Sequence, residues 1–297
     1  MTDTQITAKP PTQRNQQIGL FIILCFGFSW SIAALLWRTG GLASPFGPTL
    51  IFVYMWGPAF AALLCTWLFD RNRWQQALGF TSWPRWSWVL AIAVAVILVA
   101  GSTMISLLGP EVSWVGLQAG FAQVLAEQGV SKDKLPMPLE QLVWLQIGIG
   151  LPVGILINGV LLLSEELGWR GWLYDRWRVL GFWRGNLAIG FVWGVWHAPI
   201  IAMGHNYPGQ PVSGIFLMIG FCLLLAPIIG WFREVGRSVF AASIFHGSIN
   251  ALAGIGLMVI AIPDMPWRGL VGIGGFVMLA IVCAILWALR RRQIARL

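Results

Sequence analysis

Residues 142–165 read LVWLQIGIGLPVGILINGVLLLSE, a run in which the final glutamate is the only charged side chain. A helix rises 1.5 Å per residue, so about 20 apolar residues cross the ~30 Å hydrocarbon core of a bilayer. The run is long and apolar enough to do so. We therefore predict a transmembrane helix here. The apolar pattern continues beyond residue 165 through Leu167, Trp169, Trp172 and Leu173, so the helix should extend past its glutamates.

Comparable apolar blocks recur along the chain. Of its 297 residues, 58% are hydrophobic and 10% are charged. A water-soluble domain of this length needs far more charged surface. The predicted fold is therefore an all-α, polytopic membrane protein, a bundle of about eight transmembrane helices. The predicted spans are residues 18–37, 49–69, 87–108, 142–165 with its continuation, 186–203, 213–232, 238–261 and 269–289.

The cationic residues favour alternate loops. Fifteen of the nineteen Lys and Arg lie in the two tails, the 70–86 loop, the 166–185 segment and the 233–237 turn. The other four are Arg38, Lys132, Lys134 and Arg268. Loops rich in Lys and Arg stay in the cytoplasm, so we predict that both termini are cytoplasmic. The same distribution argues against a nucleic-acid partner despite the net charge of +8.

Three regions follow from this pattern. Residues 1–17 are predicted to be a disordered cytoplasmic tail, 18–289 the helical bundle with a motif-bearing core at about 142–261, and 290–297 a basic cytoplasmic tail. The longest extramembrane segment, 109–141, should lie outside and carry a short interfacial helix. The four cysteines lie singly in separate spans, so we predict neither disulfides nor a thiolate metal site.

Polar side chains inside the spans indicate where chemistry occurs. A charged group within a bilayer costs several kcal/mol unless it is paired or hydrated. Glu165 and Glu166 are the two acids predicted within a span, and His197 and His246 are also intramembrane; Asn250 lies on the same helical face as His246. Counted from the cytoplasmic ends of their spans, Glu165, His197 and His246 lie at a similar depth, ~14–20 Å.

The two glutamates are expected to differ in role. Glu166 and Arg170 have i, i+4 spacing with the acid first, the favourable order for a helical ion pair. Glu165 points about 100° away around the helix and needs a partner on another helix or a water molecule. Buried Glu–Arg pairs and intramembrane histidines can also be purely structural. His205 is interpreted as an exposed loop residue, and Asp175 and Arg176 as interfacial charges.

Glu165-Glu166-x-x-x-Arg170, a later helix with His197, and His246-x-x-x-Asn250 follow one another in the chain. This order and spacing resemble the CPBP family, intramembrane endopeptidases that include CAAX proteases and bacteriocin-processing enzymes and are related to the Ras-converting prenyl-protein protease. The resemblance covers most of residues 18–289. One departure is visible, because the family usually has Phe four residues before the second-motif histidine and this chain has Trp193.

The resemblance implies hydrolysis of a membrane-associated peptide or protein near the cytoplasmic side of the bacterial cytoplasmic membrane. Amide hydrolysis needs a base, a positioned water and an oxyanion donor. Glu165 is the expected base, His197 would hold the water, and His246 with Asn250 would stabilise the oxyanion. The Glu166–Arg170 pair would lie next to Glu165 and position it without contacting the substrate.

Zinc dependence is left open. Glu165, His197 and His246 could be three zinc ligands, with Glu166 as the base. We favour a metal-independent site, because the spacing assigns Glu166 to Arg170 and no H-E-x-x-H motif is present. Two other functions remain as alternatives: a proton-coupled transporter and a catalytically idle scaffold or immunity protein. A transporter should show inverted repeats, whereas these polar groups all lie in the C-terminal half.

Overall fold

The chain folds as an all-α polytopic membrane protein. A computed structural model describes residues 11–83, 86–127, 130, 135–261, 267 and 269–294. Within these ranges, 7 helices are long and apolar enough to cross a membrane. They are Pro11–Arg38, Gly47–Phe69, Trp86–Ser106, Leu139–Leu180, Ser213–Val235, Val239–Met258 and Ile273–Arg292.

The described ranges contain fifteen α-helices, some of which are parts of one interrupted span. They are α1 Pro11–Arg38, α2 Gly47–Tyr54, α3 Gly57–Phe69, α4 Trp74–Leu78, α5 Trp86–Ser106, α6 Leu117–Glu127, α7 Leu139–Leu145, α8 Leu151–Leu161, α9 Leu163–Glu166, α10 Tyr174–Trp177, α11 Phe182–Trp196, α12 Ala198–Ala202, α13 Ser213–Val235, α14 Val239–Met258 and α15 Ile273–Ile294. Strands β1 (Ser113–Trp114) and β2 (Ile260–Ala261) form a short antiparallel pair.

The predicted span at 186–203 is present as two helices, α11 and α12, that meet at His197. Pro199 causes the break, because proline has no N–H and its ring clashes with the preceding helical turn. The amides of Ile200 and Ile201 both bond the His197 carbonyl, at 3.1 Å. The Trp196 carbonyl is therefore left without its usual hydrogen bond from the Ile200 amide. Because the helix is interrupted here, neither α11 nor α12 alone is long enough to span the membrane.

The long span Leu139–Leu180 continues past Glu165, as predicted. It is not a regular α-helix. Residues Gln146–Gly150 and Leu167–Leu173 are π-helical, and a break occurs at Leu162, whose carbonyl accepts from the amides of Glu165 and Glu166 at 3.0 and 2.9 Å. Both glutamates therefore lie in α9, a single turn between the break and a π-helical segment. Such π-bulges are frequent at functional sites.

The tails are more helical than predicted. Helix α1 begins at Pro11, so the expectation of disorder was wrong for residues 11–17, whereas residues 1–10 lie outside the described residues. Proline suits the first turn of a helix, and the Gln and Arg that follow are good helix formers. Helix α15 likewise continues to Ile294, into the predicted basic tail. Lys132, Lys134 and Arg268 also lie outside the described residues.

The segment 109–141 contains the predicted short helix, α6, which begins at Leu117. Close packing of the inner helices depends on small residues. A Cβ atom on Gly190 would lie 2.7 Å from the Cys222 carbonyl oxygen, and one on Gly194 would lie 2.6 Å from the Ile219 Cα. Helix α11 therefore packs directly against the α13 backbone, which positions the end of α11 deep in the bundle.

Candidate active site

Three helical segments bring five polar side chains together in the interior. Glu165 and Glu166 come from α9, Arg170 from the π-helical turn after it, His197 from the α11–α12 junction and His246 from α14. We call these five residues the polar cluster. Glu166 and Arg170 are fully buried, and the other three are no more than 7% exposed. Burial of five such groups in an apolar bundle requires that they satisfy one another or bind water.

Glu166 is shared between two partners. Its Oε1 accepts a hydrogen bond from Arg170 Nη1 at 3.1 Å, which confirms the predicted i, i+4 pair. The same oxygen lies 2.8 Å from His246 Nδ1. Nothing in the spacing of the sequence pairs His246 with this glutamate. The contact requires close approach of α14 to α8, which Gly247 permits: a Cβ there would lie 2.4 Å from the Gly159 amide nitrogen.

Glu165 has its partner on another helix, one of the two options left by its position. Its Oε2 accepts a hydrogen bond from the indole Nε1 of Trp193, at 2.8 Å. From the sequence, Trp193 was only a departure from the family pattern, and this contact was not predicted. One signal was available, because a buried indole N–H usually has a hydrogen-bond acceptor and phenylalanine has no such donor.

His197 is held by the backbone at the helix break. Its amide bonds the Gly194 carbonyl instead of continuing the α-helical ladder, which leaves the Trp193 carbonyl free. The His197 Nδ1 then lies 2.8 Å from that carbonyl oxygen. A carbonyl only accepts, so Nδ1 carries the proton and Nε2 presents a lone pair. The ring also contacts Trp196, with centroids 4.7 Å apart.

Asn250 is not brought into the cluster. It lies one turn beyond His246 on α14, but its side chain is exposed. Two other interpretations need correction. His205 is half-buried, not exposed. Arg176 is only 4% exposed and pairs with Asp70, so it is a buried ion pair and not a simple interfacial charge.

The residues considered as zinc ligands do not form a zinc site in this arrangement. The Nδ1 atoms of His197 and His246 are engaged by the Trp193 carbonyl and Glu166, which leaves only the Nε2 atom of each ring as a possible metal donor. Across the described ranges, no three His, Cys, Asp or Glu side chains are grouped closely enough to hold a metal ion.

Comparisons with known proteins agree with the motifs. A family model described as Rce1-like, type II CAAX prenyl endopeptidase, matches residues 143–252. The match includes the whole polar cluster and Asn250. A comparison with curated proteins finds no match. The chain is therefore an integral membrane protein whose residues 143–252 match the model of the Rce1-like family of CAAX proteases.

Proposed function

We propose that this protein is an intramembrane endopeptidase in which Glu165 activates water to cleave a membrane-associated peptide or protein near the cytoplasmic side. One observation carries the proposal. Glu165 is a buried carboxylate whose Oε2 is held by Trp193, whereas its Oε1 has no hydrogen-bond partner among the described residues. A general base needs such an oxygen, fixed in position and available to a water proton.

The chemical step follows from the donors around Glu165. Water attacks the scissile carbonyl carbon as Glu165 takes one of its protons, and a C–O bond forms. The tetrahedral oxyanion then collapses, the C–N bond breaks, and Glu165 returns the proton to the leaving amine. His197 would orient the water, because its Nε2 lone pair can accept one of the water hydrogens.

His246 and Asn250 would stabilise the oxyanion. When His246 carries a proton on each nitrogen, Nδ1–H faces Glu166 and Nε2–H is available to the substrate. The Glu166 carboxylate balances the charge of that imidazolium. Asn250 has an exposed amide on the same helical face, so its N–H groups are open to an arriving substrate.

Unpaired buried polar atoms support a hydrated site. Glu166 Oε2 and the Nε and Nη2 atoms of Arg170 have no hydrogen-bond partner within the described chain. Buried polar groups of this kind are usually satisfied by ordered water. Water at these atoms would lie within the polar cluster, where hydrolysis requires it.

The proposal is tested by comparing the membrane peptides of cells that express the native protein with those of cells that express Glu165→Gln. Glutamine keeps the size of the side chain but cannot accept the water proton as a carboxylate does. We expect at least one membrane-associated peptide to be cleaved only in cells with the native protein. Glu140→Gln, which changes an exposed glutamate of α7, is the matched control and should behave as native.

Identical peptide profiles for the native protein and Glu165→Gln, at equal protein levels, would contradict the proposal. That result would favour the catalytically idle scaffold. The bacterial cytoplasmic membrane is the proposed location, with both termini in the cytoplasm.

A further inference from the structure

Trp193 contacts four of the five residues of the polar cluster. Its indole Nε1 donates to Glu165 Oε2 at 2.8 Å, and its carbonyl accepts from His197 Nδ1 at 2.8 Å. The Arg170 Cζ lies 4.6 Å from its ring centroid. The His246 ring meets it edge to face, with centroids 5.2 Å apart. The side chain is 1% exposed, so its position is fixed by packing on all sides.

We propose that Trp193 is a positioning residue that holds Glu165 in the orientation needed to activate water. The inference rests on the proposed function of Glu165. An unrestrained carboxylate can rotate about its terminal bond and exchange its two oxygens. The indole hydrogen bond selects Oε2 and leaves Oε1 for water, which is the kind of preorganisation that lowers a reaction barrier.

The contacts of Trp193 can be separated by substitution. The carbonyl of Trp193 holds His197, and any amino acid at this position supplies a carbonyl. The ring face beside Arg170 is retained by phenylalanine. Only the N–H to Glu165 is specific to tryptophan, so Trp193→Phe removes that one contact while the aromatic packing and the helix remain.

The chain offers a matched control. Trp172 is also fully buried, but its Nε1 has no hydrogen-bond partner within the described chain. Trp172→Phe therefore removes the same atoms from a buried ring without removing a hydrogen bond to the cluster. Any general effect of shrinking a buried tryptophan should appear in both variants.

The first measurement needs no substrate. Infrared spectra of the purified protein in lipid nanodiscs are recorded for the native protein and for Glu165→Gln, and their difference identifies the Glu165 carboxyl band. We expect this band to shift in Trp193→Phe and to stay in place in Trp172→Phe. An unshifted band in Trp193→Phe would overturn the proposal, because it would show that the indole does not restrain the carboxyl group.

The second measurement follows processing in cells. Pulse labelling gives the rate at which the Glu165-dependent peptides are cleaved, at matched protein levels. Loss of a hydrogen bond to a charged group should slow Trp193→Phe about tenfold or more, with native folded yield. A native processing rate would overturn the positioning role. If no peptide depends on Glu165, the proposed function itself fails, and the infrared shift then reports only a structural contact.

Discussion

The Nδ1 atom of His246 lies 2.8 Å from the Glu166 oxygen that also accepts the Arg170 hydrogen bond. One carboxylate oxygen on α9 thus joins a cation on its own helical segment to an imidazole on α14. The interaction of either partner with Glu166 depends on the other, because both compete for the same electron density.

Substitutions of Arg170 and His246 should be non-additive. We expect Arg170→Met, His246→Gln and the double variant to give a coupling energy of about 0.5–3 kcal/mol in the free energy of unfolding, the range for residues in one hydrogen-bond network. Reversible unfolding in detergent would measure it. Additive effects would mean that the two side chains do not share Glu166.

Substitution of Arg170 should lower the yield of folded protein, whereas substitution of Glu165 should abolish cleavage. Arg170→Met leaves the buried Glu166 without its cation, and breaking a buried pair costs about 3–5 kcal/mol. We expect a large loss of monodisperse protein on size exclusion. Glu165→Gln should give native yield and no cleavage. Arg292→Met, at an exposed position of α15, is the control for loss of an arginine. Equal yields for the Arg170 and Glu165 variants would refute this division of roles.

Metal removal should leave activity intact. We expect the purified enzyme to keep its activity after dialysis against a strong chelator, with residual metal measured by elemental analysis. The reason is that Glu165 itself activates water in the proposed site. Activity lost on chelation and restored by added zinc would instead make Glu165, His197 and His246 ligands.

Topology is tested by single-cysteine labelling in a background without the four native cysteines, all of which are free thiols. We expect a membrane-impermeant reagent to reach a cysteine at position 132 only from outside, and one at position 296 only from the cytoplasm. The reason is the excess of Lys and Arg in alternate loops. Labelling of either position from the opposite side would reject the predicted orientation.

Asp70, just beyond the end of α3, should make stability depend on pH. Burial alone would raise the pKa of this carboxyl, but ion pairs with Arg176 and Arg73 outweigh it and hold the pKa below its ordinary value. A lowered folded-state pKa stabilises the protein above the unfolded-state pKa, and that stabilisation is lost as the pH falls through the folded-state value.

The melting temperature of Asp70→Asn should therefore lie below that of the native protein at neutral pH. The gap should narrow as the pH falls below about 4, the usual pKa of an aspartic acid. Glu140→Gln should show no such gap at any pH. A gap that stays constant from neutral to acidic pH would contradict the ion-pair explanation.

The sequence predicted best those features that depend on one helix alone. The apolar spans follow from block length, and the Glu166–Arg170 pair follows from i, i+4 spacing. The break at His197 also has a local cause, Pro199, although we predicted a continuous span. By contrast, the His246–Glu166 contact depends on how closely α14 approaches α8, which a single sequence does not specify.

The Trp193–Glu165 hydrogen bond was missed for a related reason. The direction of Glu165 depends on the break at Leu162 and on the π-helical turn that follows, and neither is visible as a periodic pattern. For Asn250, the spacing correctly predicted that it lies on the same face of α14 as His246. Its exposure was not predictable, because it depends on which neighbouring helices cover that face.

The helix break at Pro199 also bears on how this chain can be divided. The freed carbonyl of Trp196 accepts hydrogen bonds from the Trp30 indole, at 3.1 Å, and from the Tyr54 hydroxyl. Both donors lie in α1 and α2, far outside the matched residues 143–252. A chimaera that grafts only residues 143–252 onto another N-terminal half would strip this carbonyl of both donors, one residue before His197. A fragment that keeps both hydrogen bonds must therefore include α1 and α2 as well as residues 143–252.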